Sequence, residues 1–249
     1  MTRMDSLGRW GWGAVKLLVG TTILGGCSSA KRIEPVSIAN STFGPMTIAV
    51  APALNLSGSA DFDPDRFADL MASELSYADG ISVIPVSRVL GVLAAQGRGE
   101  VESASHALEV AALLGADAIL VFAVAEYDPY DPPSIGISAQ LYGTRPRSRD
   151  GALDPVALSR QASLAASDAS ASPQRLLAQT QRVFNASHGS VAAGIREFAA
   201  ARGAEGSPYG WRKYVVSQQH FIRYCCHATI QALLNAQRGS VLVGGNRER

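Results

Sequence analysis

Charge is scarce in this chain. Asp, Glu, Lys and Arg supply 17% of its 249 residues, and 22 basic against 21 acidic side chains leave a formal net charge of +1. A chain so near neutrality has no long-range pull on phosphates, which excludes a nucleic-acid binder working by electrostatic capture. Cysteine is scarcer still: there are three, and two of them, Cys225 and Cys226, are neighbours. Adjacent Cα atoms lie about 3.8 Å apart, below the usual disulfide span of about 4.4–6.8 Å, so no disulfide framework holds the fold. No repeat of constant period occurs, and the P-loop, G-x-G-x-x-G, G-x-S-x-G and H-E-x-x-H patterns are all missing. The expectation is a protein that is not an enzyme and takes no cofactor. What is plentiful is apolar surface. Hydrophobic residues make up 47% of the chain, enough for the core of one domain, or of one domain with a helical annex.

The amino terminus reads as a targeting segment. Arg3, Arg9 and Lys16 precede Leu17-Leu18-Val19-Gly20-Thr21-Thr22-Ile23-Leu24, and small Gly25 and Gly26 follow. An apolar run of about ten residues rises only about 15 Å as a helix, roughly half of a bilayer core near 30 Å. A cleaved leader over residues 1–26 is therefore expected. The tetrad Leu24-Gly25-Gly26-Cys27 resembles the bacterial lipobox. That resemblance implies a diacylglycerol on the Cys27 thiol, cleavage before Cys27, and acylation of the new amine by a chain such as palmitate. At about 0.8 kcal/mol per buried CH₂, two or more chains hold a protein to a membrane where one would not. Ser28 and Ser29 follow, with no Asp beside the cysteine to suggest inner-membrane retention. The expected location is the outer membrane, periplasmic face, with membrane lipid as the first partner. Cleavage removes three basic residues and Asp5, leaving the mature chain at a net charge of about −1.

Beyond Cys27, hydrophobic periodicity and turn chemistry divide the chain. Residues 27–45, small and polar with Pro35, Gly44 and Pro45, read as a tether. Residues 46–142 read as an α/β domain. Met46–Ala51 is a short apolar strand, and Asp63-Pro64 caps a helix bearing Phe67, Leu70, Met71, Glu74 and Leu75 at helical spacing. Ile81–Val86 is a second strand, Ser87 is the expected cap of a short helix, and Ser103 opens another that ends at Gly115. Ala118–Val124 is a central strand, paired as a hairpin with alternating Ile135–Leu141. Residues 143–172 form an Ala/Ser-rich segment. Residues 173–238 are expected as a helical annex, its first helix begun by Pro173 with Leu176, Leu177, Thr180, Val183 and Phe184 on one face. A long final helix follows from about Ser217, apolar on the Phe221, Ile222, Cys225, Cys226, Thr229, Ile230, Leu233 and Leu234 side, with Arg223, His227 and Gln231 opposite. Residues 239–249 are a tail. The fold class is α/β with α+β character: a mixed sheet of about four to five strands flanked by helices, plus the annex.

Three segments carry a further resemblance: Ile48-Ala49-Val50-Ala51-Pro52 with Asn55, Val83-Ile84-Pro85-Val86-Ser87-Arg88-Val89-Leu90, and Leu114-Gly115-Ala116-Asp117-Ala118-Ile119-Leu120. Together they resemble the lipoproteins built on the TolB amino-terminal-like fold, among them the curli-secretion lipoprotein and the lipoprotein activator of penicillin-binding proteins. The resemblance covers about 95 residues and implies a periplasmic domain that binds other proteins and performs no chemistry. A curli-type pore would need two or more alternating segments of about 9–11 residues; only Ile135–Leu141 alternates.

Candidate sites are few. Tyr127, Asp128, Tyr130 and Asp131 share a stretch stiffened by Pro129, Pro132 and Pro133. They suit contact with an envelope protein or a second copy, because tyrosine offers large area at small entropic cost. Paired carboxylates with aromatic faces equally suit a ligand- or carbohydrate-sensing site. Arg145, Arg147 and Arg149 read as solvated charges. Cys225, Cys226, His220 and His227 share one helix, but adjacent residues point about 100° apart and the histidines lie two turns from each other, so the four cannot enclose one ion.

Overall fold

The computed structural model describes residues 37–40, 43–144 and 175–244, with side chains through 236 in the last stretch. The leader, Cys27, the first part of the tether, the arginine trio, the Ala/Ser-rich segment from residue 145 on and the last five residues lie outside them. The fold belongs to the unit Pro35–Arg249.

Among the described residues six strands form one mixed sheet: β1 (Met46–Val50), β2 (Leu54–Asn55), β3 (Ile81–Ile84), β4 (Ala118–Asp128), β5 (Ser134–Gly143) and β6 (Leu176–Asn185). Among the described residues six helices flank it: α1 (Pro64–Leu75), α2 (Val86–Ala95), α3 (Ala104–Leu113), α4 (Gly189–Ala201), α5 (Lys213–Val216) and α6 (Gln218–Gly244). The strand order is β3-β1-β4-β5-β6, with β2 beside β4. Pairing is parallel among β1, β2, β3 and β4, where helices make the crossovers, and antiparallel through β4-β5-β6.

Local chemistry places the helix ends. The Asp63 carboxylate accepts the Arg66 N–H at 3.0 Å, with Pro64 at the first helical position of α1. Ser103 Oγ accepts the His106 N–H at 3.1 Å at the start of α3. Gly115, at φ +67°, ends α3, and the Ala116 N–H returns to the Ala111 carbonyl at 2.9 Å, the pairing of a left-handed helix stop. The expected Ser87 cap is corrected: Pro85 is the N-cap of α2, with no side-chain cap bond. Its extended backbone turns straight into helix at Val86 and leaves Ser87 inside the first turn.

Alternation sorts the strands into two faces. Ile48, Val50, Leu120, Phe122 and Val124 join Ile135, Ile137, Ala139 and Leu141 on one face, under α1, α4 and α6. Ala49, Ala51 and Ile119 face the other way, against Val89 and Leu93 of α2 and Ala107, Val110 and Ala111 of α3. Burying each large apolar side chain contributes about 1.5–3 kcal/mol, so the first face dominates stability. Asp117 fastens the strands at their start. Its Oδ2 accepts the Thr47 N–H at 2.9 Å while its own N–H donates to the Thr47 carbonyl at 2.9 Å.

Two expectations change. The helix expected over Leu176–Phe184 is strand β6, hydrogen-bonded antiparallel along β5, with Phe184 opposite Ile135 and Ala178 opposite Leu141. Only Ala178 and Phe184 are buried within it, so its period-2 signal is faint; the open edge of β5 decides its conformation. The annex is accordingly part of the main body: Ile195, Phe198, Phe221, Ile230 and Leu233 belong to the same core as the sheet. Ile38, read as tether, is 3% exposed and bridges Ala78, its N–H donating to the Tyr77 carbonyl at 2.8 Å. Among the described residues no helix is long and apolar enough to cross a membrane.

Candidate functional site

The β4-β5 hairpin carries the four residues singled out for partner contact. Tyr127 is in β4 opposite Ile135, and Asp128 opposite Ser134 closes the ladder. Alternation turns the Tyr127 ring to the core side, where it meets Phe62 edge-on at 5.2 Å, and its hydroxyl accepts the Gln218 side-chain amide of α6. Burial pushes the phenol's pKa up, the Gln218 bond working against it. Asp128, Tyr130 and Asp131 stay in solvent. Asp128 Oδ1 accepts the Tyr130 N–H at 3.1 Å, and Tyr130 is 72% exposed. At the base the Ala186 N–H donates to the Pro133 carbonyl at 3.0 Å, and Ser134 Oγ donates to the Glu126 carboxylate. The structure thus gathers Asp128, Tyr130 and Asp131 at a braced tip and gives Tyr127 the task of holding that tip to α6.

A second constellation escaped the pattern reading. Glu74 of α1 is 0% exposed. Its Oε2 accepts the Arg202 guanidinium and lies 3.5 Å from His227 Nδ1, and its Oε1 lies 3.9 Å from Arg223 Nη1. The Arg202 guanidinium also sits 4.4 Å from the Phe198 ring centre and 4.8 Å from that of Tyr77, a stacking suited to its flat cation. Glu74 Oε1, Arg202 Nε and His227 Nδ1 are buried without a hydrogen-bond partner among the described residues. The signal was in the sequence: Glu74 interrupts the apolar row Phe67, Leu70, Met71. His227, expected on the polar side of the last helix, is corrected to a buried residue, because α4 and α1 close over that side too.

Cys225 and Cys226 are fully buried, and burial pushes both thiols well above their usual range, with Glu74 adding to the effect at Cys226. They are protonated packing groups rather than nucleophiles. His220 shares a 2.9 Å hydrogen bond with Ser217, and burial, then Lys213 and Arg223, lowers its pKa. Among the described residues no three His, Cys, Asp or Glu side chains are placed to hold a metal ion.

No known family model matches this chain. No curated protein matches it either. Solved structures do. Lipoprotein GNA1162 from Neisseria meningitidis is similar at 18% identity and TM-score 0.40, over 66% of this chain and 99% of that one. The LpoB C-terminal domain from Salmonella enterica is similar at 10% identity and TM-score 0.40, over 59% and 87%. The hypothetical protein CT253 from Chlamydia trachomatis is similar at 14% identity and TM-score 0.36, over 80% and 96%.

Proposed function

We propose that this chain is a non-enzymatic lipoprotein of a bacterial envelope, with a TolB amino-terminal-like body. It is held through acyl chains on Cys27 to the periplasmic face of the outer membrane, and it engages an envelope protein, or a second copy of itself, through the β4-β5 tip. The leader over residues 1–26 and the tetrad Leu24-Gly25-Gly26-Cys27 at its end support the anchor. The observation that carries the binding role is the tip itself. A tyrosine 72% exposed stands on a loop stiffened by three prolines, and Tyr127 and Gln218 pin its base to the body. An aromatic already fixed in place gives up little freedom on contact, so more of its buried area becomes affinity.

The test places a photo-crosslinking benzoylphenylalanine at Tyr130 in intact cells. The expected result is a discrete crosslinked product that disappears when the probe is moved to exposed Leu113 on α3. Equal crosslinking from both positions, or none from Tyr130, overturns the tip assignment. For the anchor, mass spectrometry of the native product should find a chain beginning at acylated Cys27, and Cys27→Ala should release it from membranes. An unmodified thiol or an intact leader overturns that part alone.

A further inference from the structure

A cleft of about 330 Å³ opens between α4 and α6 beside the end of β6. Phe198 and Tyr224 give it an aromatic wall, with ring centres 5.7 Å apart and planes nearly perpendicular. Two polar residues on its lining, Tyr224 and His227, are largely buried. Tyr224 is 7% exposed and His227 5%; among the described residues the Tyr224 hydroxyl has no hydrogen-bond partner, whereas His227 Nδ1 faces Glu74 Oε2 at 3.5 Å. Polar groups in such a wall normally have a partner, so the unpartnered Tyr224 hydroxyl is a place for a ligand's polar atom. Gly194 of α4 is what makes the room: a methyl group there would collide with the Tyr224 hydroxyl. The other lining charges are Arg182 of β6 and Glu197 of α4, both in solvent contact. Burial does most to raise the Tyr224 phenol's pKa; of the two charges, Arg182 works against that rise and Glu197 adds to it.

Opposite charges beside one hydroxyl set what fits. A simple anion would meet Glu197 and a simple cation would meet Arg182, each unfavourably, whereas a molecule bearing both charges a few bonds apart satisfies both. At roughly 30 Å³ per water-sized group the cleft holds about eleven heavy atoms, the size of alanyl-alanine. We propose that the cleft between α4 and α6 binds a small zwitterion, a free amino acid or dipeptide. Its carboxylate lies on Arg182 and its ammonium on Glu197. Its apolar part lies against Phe198, and the Tyr224 hydroxyl hydrogen-bonds a polar atom between. This site is separate from the hairpin tip and stands without the partner assignment made there.

The test is isothermal titration of the full-length chain in dodecyl maltoside with alanyl-alanine, its N-acetyl form and its C-terminal amide. Saturable binding of the free dipeptide with Kd below about 1 mM is expected, weakened at least about tenfold by blocking either end. Arg182→Gln and Glu197→Gln, both at exposed positions, should each weaken it by a similar factor while leaving the melting temperature unchanged. Gly194→Leu, which fills the cleft, should abolish binding; if that variant is unstable, the two charge variants decide. No saturable heat from alanyl-alanine up to about 10 mM, blocked forms binding like the parent, or charge variants binding like the natural chain would each overturn the proposal.

Discussion

Removing the Arg202 guanidinium is the sharpest test of how this body is held together. Glu74 is wholly out of solvent, and Arg202 gives it the closest of its cationic contacts, on Oε2. Truncating one partner of a buried pair typically costs about 3–5 kcal/mol, because the other charge stays desolvated. Arg223 at 3.9 Å and His227 at 3.5 Å remain near the carboxylate, so Arg202→Ala should fall at the lower end, about 3 kcal/mol. For a body of this size each kcal/mol moves the melting temperature by about 2–4 °C, which gives a drop of about 6–12 °C. With a urea slope of about 2 kcal/mol/M, the midpoint should fall by about 1.5 M. Circular dichroism during heating and during urea titration reads both. The physical cause is the stranded charge, so Glu74→Met/Arg202→Met should recover to within about 1 kcal/mol of the natural chain. A cost under about 1 kcal/mol for Arg202→Ala, or a double variant no better than the single one, would refute this account.

The remaining predictions are smaller. In a Cys27→Ala background at pH 8, Cys225 and Cys226 should not react with dithionitrobenzoate until the chain is denatured, since burial holds both thiols protonated; rapid labelling of either contradicts their placement. Burial raises the phenols of Tyr127, Tyr142, Tyr214 and Tyr224. The unfolded chain therefore loses these protons first, stability is full below about pH 10 and falls above it, and Tyr142→Phe should flatten that decline in urea midpoints. His220 has the opposite sign. Its pKa is lowered by burial and by Lys213 and Arg223, so the unfolded chain takes the proton first and stability falls as pH drops below about 6.5, a slope that His220→Gln should remove. Asp117→Ala strands the Thr47 N–H and should cost about 1–3 kcal/mol by the same urea assay.

Where residues announce themselves by local chemistry, the fold was legible in the chain. Asp63-Pro64, Ser103 and Gly115 mark helix ends because caps and left-handed turns need those residue types, and the structure has them there. The apolar strands β1 and β4 were equally plain. The strand β6 was hidden because its side chains carry little alternation and its hydrogen bonds go to β5, 49 residues earlier at Ile135↔Phe184; a partner that distant leaves no local mark. Of the sites, the exposed tip was legible as a Tyr/Asp/Pro cluster, but not that Tyr127 turns inward, which depends on strand phase. The Glu74 cluster joins α1, α4 and α6. Only the wrong-charge residue in an apolar row hinted at it, and its partners lie more than a hundred positions away.

The placement of α6 has a consequence for how this polypeptide comes into being. Phe221, Ile222, Ile230, Leu233 and Leu234 complete the layer over β4 and β5, so a nascent chain emerging amino end first leaves that surface bare until α6 has been made. Such surface is prone to aggregate while it waits. Early release of the ribosome's product, by a stop codon between Gly143 and Gln218, therefore yields a sticky fragment and not a shorter working protein.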